Sequence, residues 1–203
     1  EKTGGIVRKK GAVYMDFPLN SLGLTHAFLA DRVRPGDFCI DATAGNGHDT
    51  LFLCSLVGDT GRVLAFDIQP QAVENTNARL VQQGWAQVGK AILCSHDQLL
   101  AHAAPGTVDA VCFNFGWLPG GDHGIFTTPA TSIPAINAAL TALRPGGALS
   151  LCLYYGGRSG YAERDAILAH LETLDNRQYT VMVTRFANRT GDVPIPVFII
   201  KEG

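Results

Sequence analysis

The sequence lacks any apolar run of 18 residues and any short apolar segment of secretory type, so neither a bilayer span nor an export leader is expected. It lacks a C-x-x-C pair and any paired Cys/His spacing of the zinc type. The five cysteines, Cys39, Cys54, Cys94, Cys112 and Cys152, are spread among apolar stretches. They read as buried thiols of a reducing cytoplasm, and no metal is expected. Charge is scarce, 17% of residues with a formal net charge of −2, so no overall field draws the chain to a polyanion. The only dense basic run, Arg8-Lys9-Lys10, reads as a solvated tail rather than a binding arm. Repeats, low-complexity blocks and linker-like stretches are missing too, which leaves no internal boundary.

What is present suits one domain. In 203 residues, 46% hydrophobic side chains suffice for one sizeable core and hardly for two. The opening residue is Glu1 rather than Met and reads as a trimmed start or tag remnant. Residues 1–20 are expected to form an N-terminal extension, in part tag or disordered, ahead of a single domain over 21–203.

Short apolar runs alternate with helical patterns, which predicts βαβ units and a mostly parallel sheet. Strands are expected at 37–41, 62–67, 90–94, 108–113, 148–153, 179–186 and 195–201. Pro70 suits a first helical turn, Val73, Leu80 and Val81 follow at helical spacing, and Gly84 supplies the stop. Ile133, Ile136, Leu140 and Leu143 form a second helical stripe that Arg144-Pro145-Gly146-Gly147 ends, and Ile167, Leu168, Leu171 and Leu174 a third. Only about eight residues separate the last two strands, too few for a parallel crossover, so they should form an antiparallel hairpin. The fold class expected is α/β, a doubly wound sheet of about seven strands.

The richest segment is Asp41-Ala42-Thr43-Ala44-Gly45-Asn46-Gly47-His48-Asp49-Thr50, where a strand runs through a glycine turn into a helix. Gly45 and Gly47 allow the sharp turn and close ligand approach required of the first βα turn in such a sheet. A dinucleotide turn would want a third glycine where Thr50 stands and a helix start clear for pyrophosphate. Here Asp41 precedes the turn and Asp49 follows it. Carboxylates repel phosphate but suit an ammonium group and ribose hydroxyls, and S-adenosylmethionine presents both. Asp67 ends the second strand, where an acidic side chain reaches ribose hydroxyls. Gln69 could reach the same sugar or the adenine, and Ser95-His96-Asp97 is placed to border the adenine. Singly, each has a plainer explanation: Asp67 as a helix cap, His96 as a hydrogen-bonded loop residue. Their register along three successive strands favours cofactor binding.

After the fourth strand comes Asn114-Phe115-Gly116-Trp117-Leu118-Pro119-Gly120-Gly121-Asp122-His123. Asn114 and Trp117 match the outer positions of the N-P-P-aromatic signature of amino methyltransferases, while Phe115 and Gly116 depart from its prolines. An amine near neutral pH is largely protonated, with a reference value of about 10.4 for lysine, and an ammonium has no lone pair to attack a methyl carbon. Burial and a nearby cation favour the neutral amine, and Asp122, His123 or Tyr154 could receive the proton. Trp117 could equally be a core anchor, and Tyr154-Tyr155-Gly156-Gly157 either pocket wall or packing.

Together, the segment from Asp41 to Leu53, Phe66-Asp67-Ile68-Gln69, Ser95-His96, Asn114 to Asp122 and the Tyr-Gly-Gly segment resemble bacterial proteins long labelled rRNA methylases and now understood as tRNA 5-(aminomethyl)-2-thiouridine methyltransferases. The likeness runs from about Leu24 to the C-terminus. It implies a Rossmann-like class I methyltransferase fold, S-adenosyl-L-methionine as cofactor, and methylation of the exocyclic amine of a modified wobble uridine in the tRNA anticodon. By matching position, Asn46, Asp67, Gln69, Ser95 and His96 would contact the cofactor. The loop with Asn114, Trp117, Leu118, Pro119, Asp122 and His123 would face the nucleoside. Trp117 stands where the family is expected to carry tyrosine, and Tyr155 where it carries histidine, which puts a histidine relay in doubt. The competing expectations are methylation of rRNA or a small molecule with the same cofactor, and a nucleotide-dependent oxidoreductase or non-catalytic binding module. How RNA would be gripped is not legible, and a homodimer could supply the surface.

Overall fold

The computed structural model describes residues 6–9, 12–15, 20–116 and 127–203. Two short strands, β1 (Ile6–Lys9) and β2 (Ala12–Met15), pair antiparallel, and α1 (Ser21–Arg32) follows. The chain then alternates β3 (Phe38–Asp41), α2 (His48–Val57), β4 (Arg62–Asp67), α3 (Pro70–Gln82) and β5 (Gly89–Leu93). After a 3-10 turn at His96–Ala101 come β6 (Val108–Phe115), α4 (Pro129–Ala142), β7 (Leu143–Leu153), α5 (Gly157–Glu172), β8 (Tyr179–Val183) and β9 (Ile195–Lys201).

Seven strands form one sheet in the order β5-β4-β3-β6-β7-β9-β8. All pairs are parallel except those of β9, which lies reversed between β7 and β8. The short β8–β9 connection makes that reversal obligatory. From β3 the chain winds outward to β5 and then returns to the other side of β3 as β6, so neighbouring helices diverge above the β3/β6 boundary. That is the topological switch point, and its crevice lies at the carboxyl ends of the strands.

Strand alternation builds both faces of the sheet. Ile40, Leu64, Phe66, Val111 and Phe113 turn one way, into a core completed by Ile136 and Leu140 of α4 and Ile167 and Leu171 of α5. Cys39, Val63, Ala110 and Cys112 turn the other way, against Leu29 of α1, Leu53 and Val57 of α2, and Leu80 of α3. Each fully buried large side chain of this kind contributes about 1.5–3 kcal/mol.

The elements match the expected ones with informative differences. The turn at Arg144-Pro145-Gly146-Gly147 occurs inside β7: Leu143 pairs with Val108 and Ala148 with Ala110, so the four residues bulge out of the ladder. Gly146 there takes a positive φ of 76°. β6 continues two residues past its expected end, and β8 stops at Val183. Helix α1 was not anticipated, because Ser21, Gly23, Thr25 and His26 interrupt its apolar stripe. Its cap is regular: Asn20 accepts from the N–H of Gly23 at 2.7 Å. Four cysteines are buried as expected, whereas Cys94 is only partly covered.

Candidate active site

The carboxyl ends of β3 to β7 surround a cavity of about 380 Å³, within the range of small-molecule sites. Its walls include Gly45, Asn46 and Asp49 after β3, Asp67 and Gln69 after β4, Ser95 and His96 after β5, Asn114 and Gly116 from β6, and Tyr154 after β7. The fold brings together residues up to 132 positions apart, Leu22 to Tyr154.

Asp41, Asp49 and Asp67, three of the acidic residues singled out in the sequence, occupy different environments. Asp41 is fully buried and is not a cavity wall: Thr50 Oγ1 donates to it at 2.6 Å and the N–H of Thr43 at 3.2 Å. Burial, followed by the neighbouring charge of Asp49, pushes its carboxyl up to about 7. It therefore braces the turn from behind rather than meeting a ligand. Gly47 is likewise behind the wall. Its φ is 78°, and a Cβ there would stand 2.9 Å from Thr76 Oγ1, so the glycine serves the packing of α2 on α3.

Asp49 lies in the wall and links two side chains. His26 of α1 bonds one carboxylate oxygen at 2.7 Å, and Asn114 Nδ2 donates to the other at 2.5 Å. Burial opposes ionisation, but the His26 and Asn114 bonds outweigh it and hold the carboxyl below its usual range. A fixed carboxylate in the first turn of α2 makes that helix start unfavourable for phosphate, which agrees with the sequence reading and disfavours the competing nucleotide-dependent oxidoreductase. The backbone N–H of Asn114 also donates to Thr43 Oγ1 at 2.7 Å, tying β6 to the glycine turn across the switch point.

At the nucleotide end, Asp67 accepts from the N–H of Gly45 at 2.9 Å and from that of Gln69 at 2.9 Å, one to each oxygen. It shapes the turn and still presents carboxylate lone pairs to the cavity. His96 is largely buried. Burial lowers its pKa, against the charge of Asp97 and a bond to the Ala42 backbone, so the ring is neutral at physiological pH. Its Nε2 is buried without a hydrogen-bond partner among the described residues, an unusual cost unless a ligand or water meets it. A carboxylate for sugar hydroxyls beside an unsatisfied neutral imidazole fits an adenosyl group.

At the other end, Tyr154 is 38% exposed, and burial of its hydroxyl near Cys152 raises its pKa well above the usual phenol value. Gly116 is tied to Thr127: its N–H donates to Thr127 Oγ1 at 2.9 Å, and its carbonyl accepts from the N–H of Thr127 at 3.2 Å. Buried Glu163 of α5 then accepts from Thr127 at 2.9 Å and from Ser132 at 2.5 Å. Trp117, Leu118, Pro119, Asp122 and His123 lie outside the described residues. Sequence reasoning missed Thr127, which lines the cavity, and His26 and Glu163, which hold the wall residues Asp49 and Thr127 from behind. An Asn-capped helix ahead of β3 was the one available signal for His26. Nothing local marks Glu163.

A doubly wound sheet of this strand order, with a phosphate-averse ligand cavity at its switch point, defines a Rossmann-like methyltransferase fold. The family model described as "Putative rRNA methylase" matches residues 63–200, and the chain belongs to that family. It is 34% identical over 191 residues, 88% of this chain and 68% of the relative, to the tRNA (mnm(5)s(2)U34)-methyltransferase, chloroplastic, of Arabidopsis thaliana. A crystal structure from Clostridium thermocellum bearing the family's description is 40% identical, with a TM-score of 0.88 over 91% of this chain and 98% of that one. A "putative methyltransferase" from Streptococcus mutans, solved in complex with SAH, is 34% identical with a TM-score of 0.82, covering 91% and 99%. No helix among the described residues is long and apolar enough to cross a membrane.

Proposed function

We propose that this chain, an S-adenosylmethionine-dependent methyltransferase, methylates the aminomethyl group of 5-aminomethyl-2-thiouridine at the tRNA wobble position, giving 5-methylaminomethyl-2-thiouridine. The observation that carries the reading is the state of Asn114. With its amide nitrogen committed to Asp49, it offers the cavity a side-chain carbonyl, an acceptor for an amine N–H. The name of the Arabidopsis relative supports the same acceptor.

S-adenosylmethionine, when bound, supplies an electrophilic methyl group on a sulfonium. Asp67 takes ribose hydroxyls, Gln69 and Ser95 border the nucleoside, Asn46 and Gly45 supply the turn around it, and neutral His96 meets the adenine. Asn114 Oδ1 accepts from the incoming amine and orients its lone pair for in-line attack. Tyr154 acts as a neutral phenol, accepting a hydrogen bond through oxygen. Its raised pKa makes it the poorest of the three groups considered for the departing proton, which leaves Asp122 and His123. Trp117, Leu118 and Pro119 are assigned to the face of the nucleoside.

The test is methyl transfer to tRNA isolated from a strain lacking the enzyme, read by nucleoside mass spectrometry. One added methyl on the aminomethyl uridine is expected. Methylation of rRNA or a free amine, with that tRNA untouched, would overturn the assignment.

A further inference from the structure

A second cleft of about 310 Å³ opens on the same edge of the sheet. In the β7–β9 pair Ile195 stands opposite Leu153, so the loop over residues 184–194 lies beside the point where Tyr154 and Tyr155 leave β7. Tyr154 walls the first cavity and Tyr155 the second, which makes the two depressions neighbours across one peptide. Among the described residues, the second is walled by Arg164, Arg185 and Arg189 and by one carboxylate, Asp165, on a chain whose net charge is −2.

Two of the three arginines lie on rings. Arg164 lies 4.6 Å from the ring centre of Tyr155 and bonds Asp165 at 2.7 Å, and Arg189 lies 3.9 Å over Phe186. Stacking engages the flat face of a guanidinium, while phosphate oxygens are recognised at its edge, so stacking on a ring does not by itself exclude a phosphate. Asp192, the one acid within residues 184–194, accepts from Tyr161 Oη at 2.6 Å. A positively charged groove with aromatic walls is the general solution for single-stranded nucleic acid.

We propose that this cleft holds the phosphodiester backbone of the RNA next to the nucleotide whose base enters the first cavity, with Arg185 and Arg189 each meeting a phosphate. The inference rests on an RNA acceptor, and it places the grip on a loop whose two arginines are four residues apart and form no basic run.

Binding of tRNA to the full chain and to Arg185→Ala/Arg189→Ala, followed by fluorescence anisotropy across a salt series, tests it. Two lost phosphate contacts should flatten the slope of log K against log salt by about 1.4, equivalent to roughly 25-fold weaker binding at about 0.1 M salt. S-adenosylmethionine affinity and melting temperature should stay as in the parent, and Arg185→Lys/Arg189→Lys should restore most of the slope. If the parent binds tRNA and the alanine variant keeps the same slope, the cleft assignment is wrong while the wobble reading stands. If affinity falls with no change in slope, the arginines act structurally and the assignment is again wrong. A parent that binds no tRNA at any salt would overturn both.

Discussion

Asp49 has two candidate duties, holding the ammonium of the cofactor or holding Asn114, and the variant Asp49→Ala separates them. The side chain accepts from His26 at 2.7 Å and from Asn114 at 2.5 Å. Bonds to a charged group contribute about 1.5–3 kcal/mol each. Losing the Asn114 bond releases the amide to turn its nitrogen toward the cavity, where it would meet the amine as a donor. If that bond supplies the orientation, the barrier rises by the same amount, a fall in kcat of about 10- to 150-fold. Methyl transfer at saturating cofactor and tRNA should show this loss. The double variant Asp49→Ala/Asn114→Ala should be no slower than Asn114→Ala alone, because the two residues act as one unit. A folded Asp49→Ala enzyme whose saturated kcat is within twofold of the parent, with only its cofactor affinity reduced, would refute the orienting role.

Asp41 and Gly47 make predictions about stability. Because burial raises the folded pKa of Asp41 to about 7 against about 3.9 unfolded, the native state holds a proton that the unfolded chain has released between those values. Its contribution is therefore present at low pH and lost as pH rises from about 4 to about 7. Asp41→Asn should gain on the parent by up to about 1.4 kcal/mol per pH unit inside that window. Urea denaturation at several pH values checks this, and parallel curves would contradict it. Gly47→Ala places a side chain at φ 78° and within 3.1 Å of the Thr76 backbone. It should cost at least about 1–2 kcal/mol, a melting temperature lower by about 2–8 °C, and an unshifted thermal melt would show that the turn relaxes freely.

Much of the site could be read locally. The glycine turn, Asp67, Gln69, Ser95, His96 and Asn114 lie at or just beyond the carboxyl ends of strands, and parallel strands of a doubly wound sheet deliver all their carboxyl ends to one side. What could not be read is which acid faces the ligand. Asp41 and Asp49 are both placed by the same short motif, yet one is sealed beneath Thr50 and the other is drawn to the cavity by His26 and Asn114. They stand eight positions apart, but the partners of Asp41 are its neighbours Thr43 and Thr50, whereas those of Asp49 come from α1 and β6, which sequence spacing does not relate.

The alternation of apolar residues, the turn chemistry and the short final connection by themselves determined the sheet, its two helical layers and the edge on which the ligand end lies, because each is a matter of neighbours along the chain. Only the tertiary structure decided the partner of Asn114, the protonation of Asp41 and His96, and the gathering of Arg164, Arg185 and Arg189 beside Tyr155. Those depend on burial and on contacts across the sheet, where the low dielectric and the absence of competing water turn a few ångströms into a choice between charged and neutral.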